Sequence, residues 1–233
     1  TRCWLESQNF AGKSGQFALI PDDTGRWQRV LALTGSDEPF AVAHLPKLLP
    51  KGDYHRCPDS SATLHADHLL LGWGLGAYRF ERYLAGTESP RLHSEGHGEP
   101  ALAMLDASLR VRDWINLPTE DMGPEHLQSA VFEAAQAFNG KAEAIIGDDL
   151  LAQNFPTIHA VGRASHRAPR LLRLHWGDAA HPHVVLCGKG VCFDTGGLDI
   201  KAADGMRNMK KDMGGAAHAL GLARLILQCR LPE

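Results

Sequence analysis

The chain has 233 residues, of which 44% are hydrophobic and 22% are charged. This balance is typical of a globular protein with a packed core rather than of a disordered chain. Its 24 basic and 27 acidic residues leave a formal charge of −3, which excludes a dominant positive surface, so we expect no nucleic-acid partner. No apolar run is long enough to span a membrane and the start does not resemble a secretory signal, so we expect no membrane partner and a cytoplasmic location. The five cysteines are irregularly spaced and fit reduced thiols.

The first hundred residues alternate short apolar runs with turn residues. This spacing predicts strands at 17–20, 29–33 and 40–45. A longer apolar pattern with aromatic residues predicts a helix at 66–84. The segment 90–100 is bounded by prolines and rich in Ser, Glu, Gly and His, which indicates a linker. We therefore predict a boundary near residue 100, with an N-terminal α/β domain at 1–100 and a second domain at 101–233.

Helical and strand patterns alternate in the second domain. Apolar periodicity predicts helices at 101–116, which Pro118 ends, and at 124–138, which Pro124 begins. Apolar runs predict strands at 142–146, 170–175 and 184–187. The patterns between and after them predict helices at 148–153 and 214–229. This order is typical of an α/β layer fold with ligands at strand ends. The run 184–187 is apolar throughout, so we expect a buried strand in which Cys187 packs.

The segment after that run combines lysines and aspartates with glycines. Glycines allow the backbone to approach a ligand closely because they carry no Cβ. Asp194 is expected in a loop at the strand end, and Asp212 just before the last helix, whose N-terminus favours a carboxylate. The Gly214-Gly215 start of that helix permits tight packing. Because Zn²⁺, Mn²⁺ and Mg²⁺ accept carboxylate oxygens, both aspartates are candidate metal ligands.

This segment resembles the leucine aminopeptidase (cytosol aminopeptidase) family of two-metal exopeptidases. The family's hallmark is a lysine and an aspartate five apart, a second lysine, and an aspartate before Met-Gly-Gly-Ala, and these places are occupied by Lys189, Asp194, Lys201 and Asp212. Further segments match in the same order, which argues against coincidence, at 76–83, 111–125, 160–165 and 169–172. The resemblance implies a small N-terminal α/β domain followed by a mixed-sheet α/β metallopeptidase catalytic domain. It also implies peptide substrates and a homohexamer.

The same resemblance implies a role for each site residue. Two divalent metal ions, Zn²⁺ or Mn²⁺ with Mg²⁺ as a further option, would activate a water and polarise the scissile carbonyl. Lys189, Asp194 and Asp212 would be metal ligands, with Asp194 bridging the ions and Lys189 binding as a neutral amine. Lys201 would stay protonated and donate to the developing gem-diolate. Met209 would line the pocket for an apolar N-terminal side chain such as Leu, and core packing is the alternative for this residue.

The family also carries a later motif, Asn-Thr-Asp-Ala-Glu-Gly-Arg, whose acidic residues complete the metal pair and whose arginine helps to position a bicarbonate. The sequence reaches Glu233 before this motif, so residues 1–233 hold only part of the site. We expect them not to be active alone, and we expect the natural chain to continue beyond Glu233. One hypothesis is a metal-dependent aminopeptidase that releases Leu or other apolar N-terminal residues. The other is a truncated or degenerate non-catalytic relative that binds or assembles. The four intact site residues favour the first.

Simpler interpretations exist for single residues. Taken alone, Asp194 is typical of a turn and Asp212 of a helix cap. The thirteen histidines form no zinc-ligand pattern. The glycine cluster 72–76 lacks the acidic partner of a dinucleotide site. Four charged residues match no ligand position and are expected to be solvated, namely Asp199, Asp204, Lys210 and Lys211.

Overall fold

The protein separates into two units, Thr1–Asp106 and Ala107–Glu233, in a computed structural model that describes residues 2–57, 64–86 and 88–230. The division falls inside a long helix, Glu99–Asn116. The domain boundary near residue 100 stays a prediction. In the part of the chain that the structure describes, no helix is both long enough and apolar enough to cross a membrane.

The first unit pairs its strands locally. In chain order its elements are α1 Arg2–Ser7, β1 Phe17–Pro21, β2 Trp27–Ala32, α2 Leu45–Leu48, β3 Asp53–His55, α3 Ala66–Ala77, β4 Arg91–His93 and the start of α4 Glu99–Asn116. β1 and β2, which the apolar runs predict as strands, are antiparallel, and β3 and β4 are parallel. The β1–β2 turn is held by Asp22, whose Oδ1 accepts from the backbone N–H groups of Thr24 at 2.8 Å and Arg26 at 2.9 Å.

Three predictions for this unit are wrong in part. Residues 40–44 form turns rather than a strand, because the N–H groups of Ala41, Ala43 and Leu45 each bond to the carbonyl three residues back. Val42 is nevertheless buried. The predicted helix 66–84 stops at Ala77, since the backbone of Tyr78 is extended. The predicted linker 90–100 contains β4 and the first turn of α4.

The glycine cluster of α3 serves packing. A Cβ at Gly72 would lie 2.6 Å from the carbonyl oxygen of Pro39, and one at Gly76 would collide with the backbone of Ala43. The helix therefore rests directly on the turns at 39–43, and Trp73 packs with Val42 and Leu45 in the core of this unit. Close helix packing accounts for the glycine spacing.

The second unit places helices beside a strand pair. After α4 its elements are α5 Pro124–Ala137, β5 Lys141–Ile146, α6 Asp149–Ala152, α7 Pro156–Gly162, β6 Arg170–His175, α8 Ala203–Met206, the 3-10 helix Met209–Met213 and α9 Gly214–Gln228. β5 and β6 are antiparallel, with Lys141 opposite His175. In the core, Ala130 and Ala134 of α5 pack with Leu220 of α9. The predicted helices, including the short α6, and the strands 142–146 and 170–175 are confirmed to within two residues at each end.

The predicted buried strand at 184–187 is wrong. These residues form no strand, and Val184 is 86% exposed. Cys187 is also exposed, so its predicted packing role is wrong as well. An apolar run becomes a buried strand only where neighbouring strands satisfy its backbone, and no strand within residues 2–57, 64–86 and 88–230 pairs with this run.

Candidate metal centre

The candidate site residues lie on two segments of the second unit. Lys189, Asp194 and Lys201 belong to irregular chain between β6 and α8, as expected for loop residues. Asp212 belongs to the 3-10 helix Met209–Met213, which runs directly into α9. Met209 begins the same 3-10 helix and is buried. One turn therefore carries both a candidate ligand and the candidate pocket residue.

The two segments cross at a pair of glycines. The backbone N–H of Ala216 donates to the carbonyl of Lys189 at 2.9 Å. A Cβ at Gly188 would lie 2.5 Å from the carbonyl oxygen of Gly215, and a Cβ at Gly215 would lie 2.8 Å from the backbone nitrogen of Lys189. Side chains cannot fit at these separations. The tight packing expected at the start of the last helix is confirmed, and it brings Lys189 beside Asp212.

Lys189 and Asp212 form an ion pair. Lys189 Nζ lies 3.0 Å from Oδ1 and 2.9 Å from Oδ2 of Asp212. The aspartate side chain is only 16% exposed. Its Oδ2 is buried and has no hydrogen bond of good geometry despite the short distance to the ammonium. Asp212 thus keeps a carboxylate oxygen with free acceptor capacity, which suits a bound cation.

Asp194 and Lys201 form a second ion pair. Lys201 Nζ lies 2.7 Å from Asp194 Oδ2, and the backbone N–H of Gly196 donates to Oδ1 at 2.9 Å. The Lys201 contact, followed by the Gly196 N–H, lowers the pKa of the Asp194 carboxyl, and the charge of Lys189 lowers this pKa further. The charge of Lys189 therefore acts on both aspartates, and we call these four residues the carboxylate cluster.

The cluster holds two carboxylates and two ammonium groups, and each carboxylate is paired with one lysine. Carboxylate oxygens are good ligands for divalent cations, and a dication can replace the neutralising charge of a lysine. Within the described ranges, no group of three or more His, Cys, Asp or Glu side chains is arranged to hold a metal ion. The residues present fit only part of a metal site. Asp194 and Asp212 could offer carboxylate oxygens, and Lys189 could offer an amine.

Sequence reasoning missed two contacts beside this cluster. Lys210 was expected to be solvated, but its Nζ donates to the carbonyl of Asn116 at 2.6 Å, so that prediction is wrong. The last carbonyls of a helix lack intrahelical donors, and Pro118 after α4 is the sequence signal that could have indicated a partner. Thr119 Oγ1 donates to the carbonyl of Cys192 at 3.1 Å. The other flanking charges, Asp199, Asp204 and Lys211, are exposed as expected.

The glycine crossing gives a stability prediction. We expect Gly215→Ala to lower the free energy of unfolding by ~1–3 kcal/mol, because the new Cβ overpacks against the Lys189 backbone. Gly214→Ala is the matched control, since its Cβ would lie 3.6 Å from Ile115 Cδ1, an ordinary contact. Chemical denaturation followed by circular dichroism measures both. Equal effects of the two substitutions would contradict the crossing.

Two ranges of the chain match models of known protein families. Residues 110–233 match the family model described as cytosol aminopeptidase family, catalytic domain. Residues 1–92 match the model described as M17 aminopeptidase, N-terminal domain. The chain therefore belongs to the cytosol aminopeptidase family, as the sequence motifs predict.

Individual relatives agree with this assignment. Peptidase B of Yersinia pestis (strain Pestoides F) is 43% identical over 178 residues, which are 70% of this chain and 40% of that protein. A probable cytosol aminopeptidase of Corynebacterium efficiens is 36% identical over 176 residues, 70% of this chain and 35% of its own. The crystal structure of the cytosol aminopeptidase from Coxiella burnetii superposes with a TM-score of 0.91 at 42% identity, covering 100% of this chain and 51% of that one. The predicted fold class is thereby confirmed, and the chain spans between 35% and 51% of these relatives' length.

Proposed function

We propose that this chain forms the N-terminal domain and the first part of the catalytic domain of a metal-dependent aminopeptidase. Its substrates would be peptides, from which it releases Leu or another apolar N-terminal residue. The observation that carries the proposal is the cluster of Lys189, Asp194, Lys201 and Asp212, in which each carboxylate is paired with a lysine. Family membership supports the same activity.

The proposed metal ligands are Lys189, Asp194 and Asp212. When bound, the divalent ions would supply Lewis acidity and a water of lowered pKa. Asp212, whose side chain is only 16% exposed, would offer its carboxylate oxygens to one of the ions. The contacts with Lys201 and Gly196 lower the pKa of Asp194 and so stabilise the ionised form, which is the form that binds a cation. Lys189 now donates to Asp212, and as a ligand it would offer its nitrogen lone pair after losing one proton.

Lys201 is the proposed catalytic residue. Its ammonium is held by Asp194 Oδ2 at 2.7 Å and lies 3.3 Å from the Asp194 carbonyl oxygen. A Lys ammonium has three donors, so these contacts leave it able to donate to a substrate oxygen as well. Such a donor stabilises negative charge that develops on the scissile carbonyl. Asp194 would thus serve both as a ligand and as the group that orients Lys201.

The remaining assignments concern specificity and assembly. Met209 is proposed to border the pocket for an apolar side chain, and its burial beside Met213 fits this role or core packing equally. Zn²⁺, Mn²⁺ and Mg²⁺ are the proposed cofactors. Among solved structures of the same fold, BotP was determined in complex with Mn, at 24% identity and a TM-score of 0.78, so Mn²⁺ is a reasonable first probe. A bicarbonate, a homohexamer and a cytoplasmic location are proposed from the family resemblance.

The proposal is tested with the full-length protein. We expect two bound metal ions per subunit by elemental analysis after loading with Mn²⁺, and hydrolysis of leucine p-nitroanilide. N-acetyl-leucine p-nitroanilide is the matched substrate, and it should resist hydrolysis because its amino group is blocked. Metal uptake without hydrolysis of either compound would instead favour a non-catalytic binding or assembly role.

A further inference from the structure

One short segment at the end of α4 contacts both of the segments that carry the candidate metal ligands. We call these segments the Asp194 arm and the Asp212 arm. We call residues 116–119 the α4 bracket. The carbonyl of Asn116 accepts from Lys210 Nζ at 2.6 Å, and Thr119 Oγ1 donates to the carbonyl of Cys192 at 3.1 Å. Lys210 precedes Asp212 by two positions, and Cys192 precedes Asp194 by the same interval. Each arm is therefore anchored just before its carboxylate.

We propose that the α4 bracket is a positioning element that fixes Asp194 and Asp212 relative to each other for metal binding. The two positioning residues are Thr119, within the bracket, and Lys210, which donates to it. The inference rests on the proposed function, because it assumes that the two aspartates bind metal. It adds two side chains that touch neither metal nor substrate to the residues on which the site depends.

The bracket is itself held firmly. Arg167 Nη1 donates to the carbonyl of Thr119 at 2.8 Å, and Nη2 donates to the carbonyl of Glu120 at 3.0 Å. The Arg167 side chain is only 14% exposed and also pairs with the Glu120 carboxylate at 2.9 Å. Pro118 restricts the backbone within the bracket, and Leu117 is buried. The bracket can therefore act as a fixed reference for the two arms.

Lys210 suits the end of a helix. Asn116 is the last residue of α4, and a cation is favoured at a helix C-terminus. The 2.6 Å separation is short, as expected for a charge-assisted hydrogen bond. Met209 and Met213, at the two ends of the same 3-10 helix, are buried. Three points thus fix this turn, and they set the direction of the Asp212 carboxylate.

Thr119 fixes the other arm at Cys192. The side chain of Cys192 is buried, and its Sγ lies 3.5 Å from the carbonyl of Gly190. The Thr119 hydroxyl bonds to the Cys192 carbonyl, so backbone and side chain of this residue are both restrained. Beyond it, the contacts given for the Asp194 side chain are local ones with Gly196 and Lys201. Removing the Thr119 hydroxyl should therefore allow the Asp194 arm to shift.

The test uses the full-length protein and Mn²⁺ as the probe. We expect Lys210→Met and Thr119→Val each to weaken Mn²⁺ binding by ~10- to 100-fold, the range typical of groups that orient metal ligands. Electron paramagnetic resonance of the loaded protein should also show altered coupling between the two ions. Lys210→Arg and Thr119→Ser keep the donors and should restore binding. Lys211→Met and Thr157→Val remove a similar group at exposed positions and should bind like the wild type.

The outcomes separate the two proposals. Wild-type protein that takes up no Mn²⁺ would overturn the proposed function and the bracket's role together. Wild-type protein that binds Mn²⁺, with Lys210→Met and Thr119→Val binding equally well, would overturn the bracket alone. The bracket's role would also be overturned if Lys210→Arg and Thr119→Ser fold but bind Mn²⁺ no better than Lys210→Met and Thr119→Val. If Lys210→Met does not fold, Thr119→Val and its conservative counterpart Thr119→Ser carry the same comparison at the other arm.

Discussion

Asp212→Asn is expected to reduce bound metal to one ion or none per subunit and to lower kcat/KM by more than ~100-fold. Groups that merely orient metal ligands change affinity or activity by ~10- to 100-fold, so loss of a direct ligand should exceed that range. Asparagine keeps the shape of the side chain but removes the charge that now pairs with Lys189. Elemental analysis and hydrolysis of leucine p-nitroanilide measure the two effects.

Asp204→Asn provides the matched control for this experiment. Asp204 lies on α8 with its side chain 97% exposed, and its ion pair with Arg207 is long, at 3.9 Å. We expect normal metal content and activity in this variant. Full activity of Asp212→Asn would rule out the ligand role, and equal losses in the two variants would point to a general effect of lost charge.

Lys201→Ala should separate catalysis from metal binding. We expect kcat to fall by ~100- to 1,000-fold, the range found when a donor to a developing oxyanion is removed. Metal content should stay near normal, because Asp194 is still ionised at neutral pH without its lysine partner. Steady-state kinetics with leucine p-nitroanilide, together with elemental analysis of the same samples, gives both quantities.

A second substitution at the same position sharpens this result. Lys201→Arg keeps a positive charge beside Asp194 but changes the position of the donors. We expect it to retain metal and to recover only part of the lost kcat. Loss of metal in Lys201→Ala would show that the Asp194–Lys201 pair has a structural role, and unchanged kcat would exclude Lys201 from the reaction.

The fold could be predicted from sequence where the signals are local. Pro124 begins α5, and apolar runs mark β5 and β6, so these elements were placed correctly. β3 and β4 were missed because each has three residues and is largely polar, with sequences Asp-Tyr-His and Arg-Leu-His. The run 184–187 has strand composition, but composition does not supply the paired neighbour that a buried strand needs.

The candidate site could be predicted as a set of residues but not as a set of contacts. The order and spacing of Lys189, Asp194, Lys201 and Asp212 indicated the chemistry. Their pairing into two ion pairs, and the anchoring of both arms, depends on tertiary structure. Lys210 and Asn116 are 94 positions apart, and Thr119 and Cys192 are 73 apart. No pattern of neighbouring residues reports contacts over such separations.

The hydrogen bond between Ala216 and Lys189 closes the intervening chain into a loop whose two ends are pinned together. The entropy of closing a loop rises only slowly with its length, by ~0.6 kcal/mol per doubling. Changes in length near the exposed residues Ala202 and Ala203 would therefore add little strain at the crossing, and the Lys189–Asp212 pair would stay in place. This part of the loop could vary in length and surface chemistry among relatives while the carboxylate cluster is preserved.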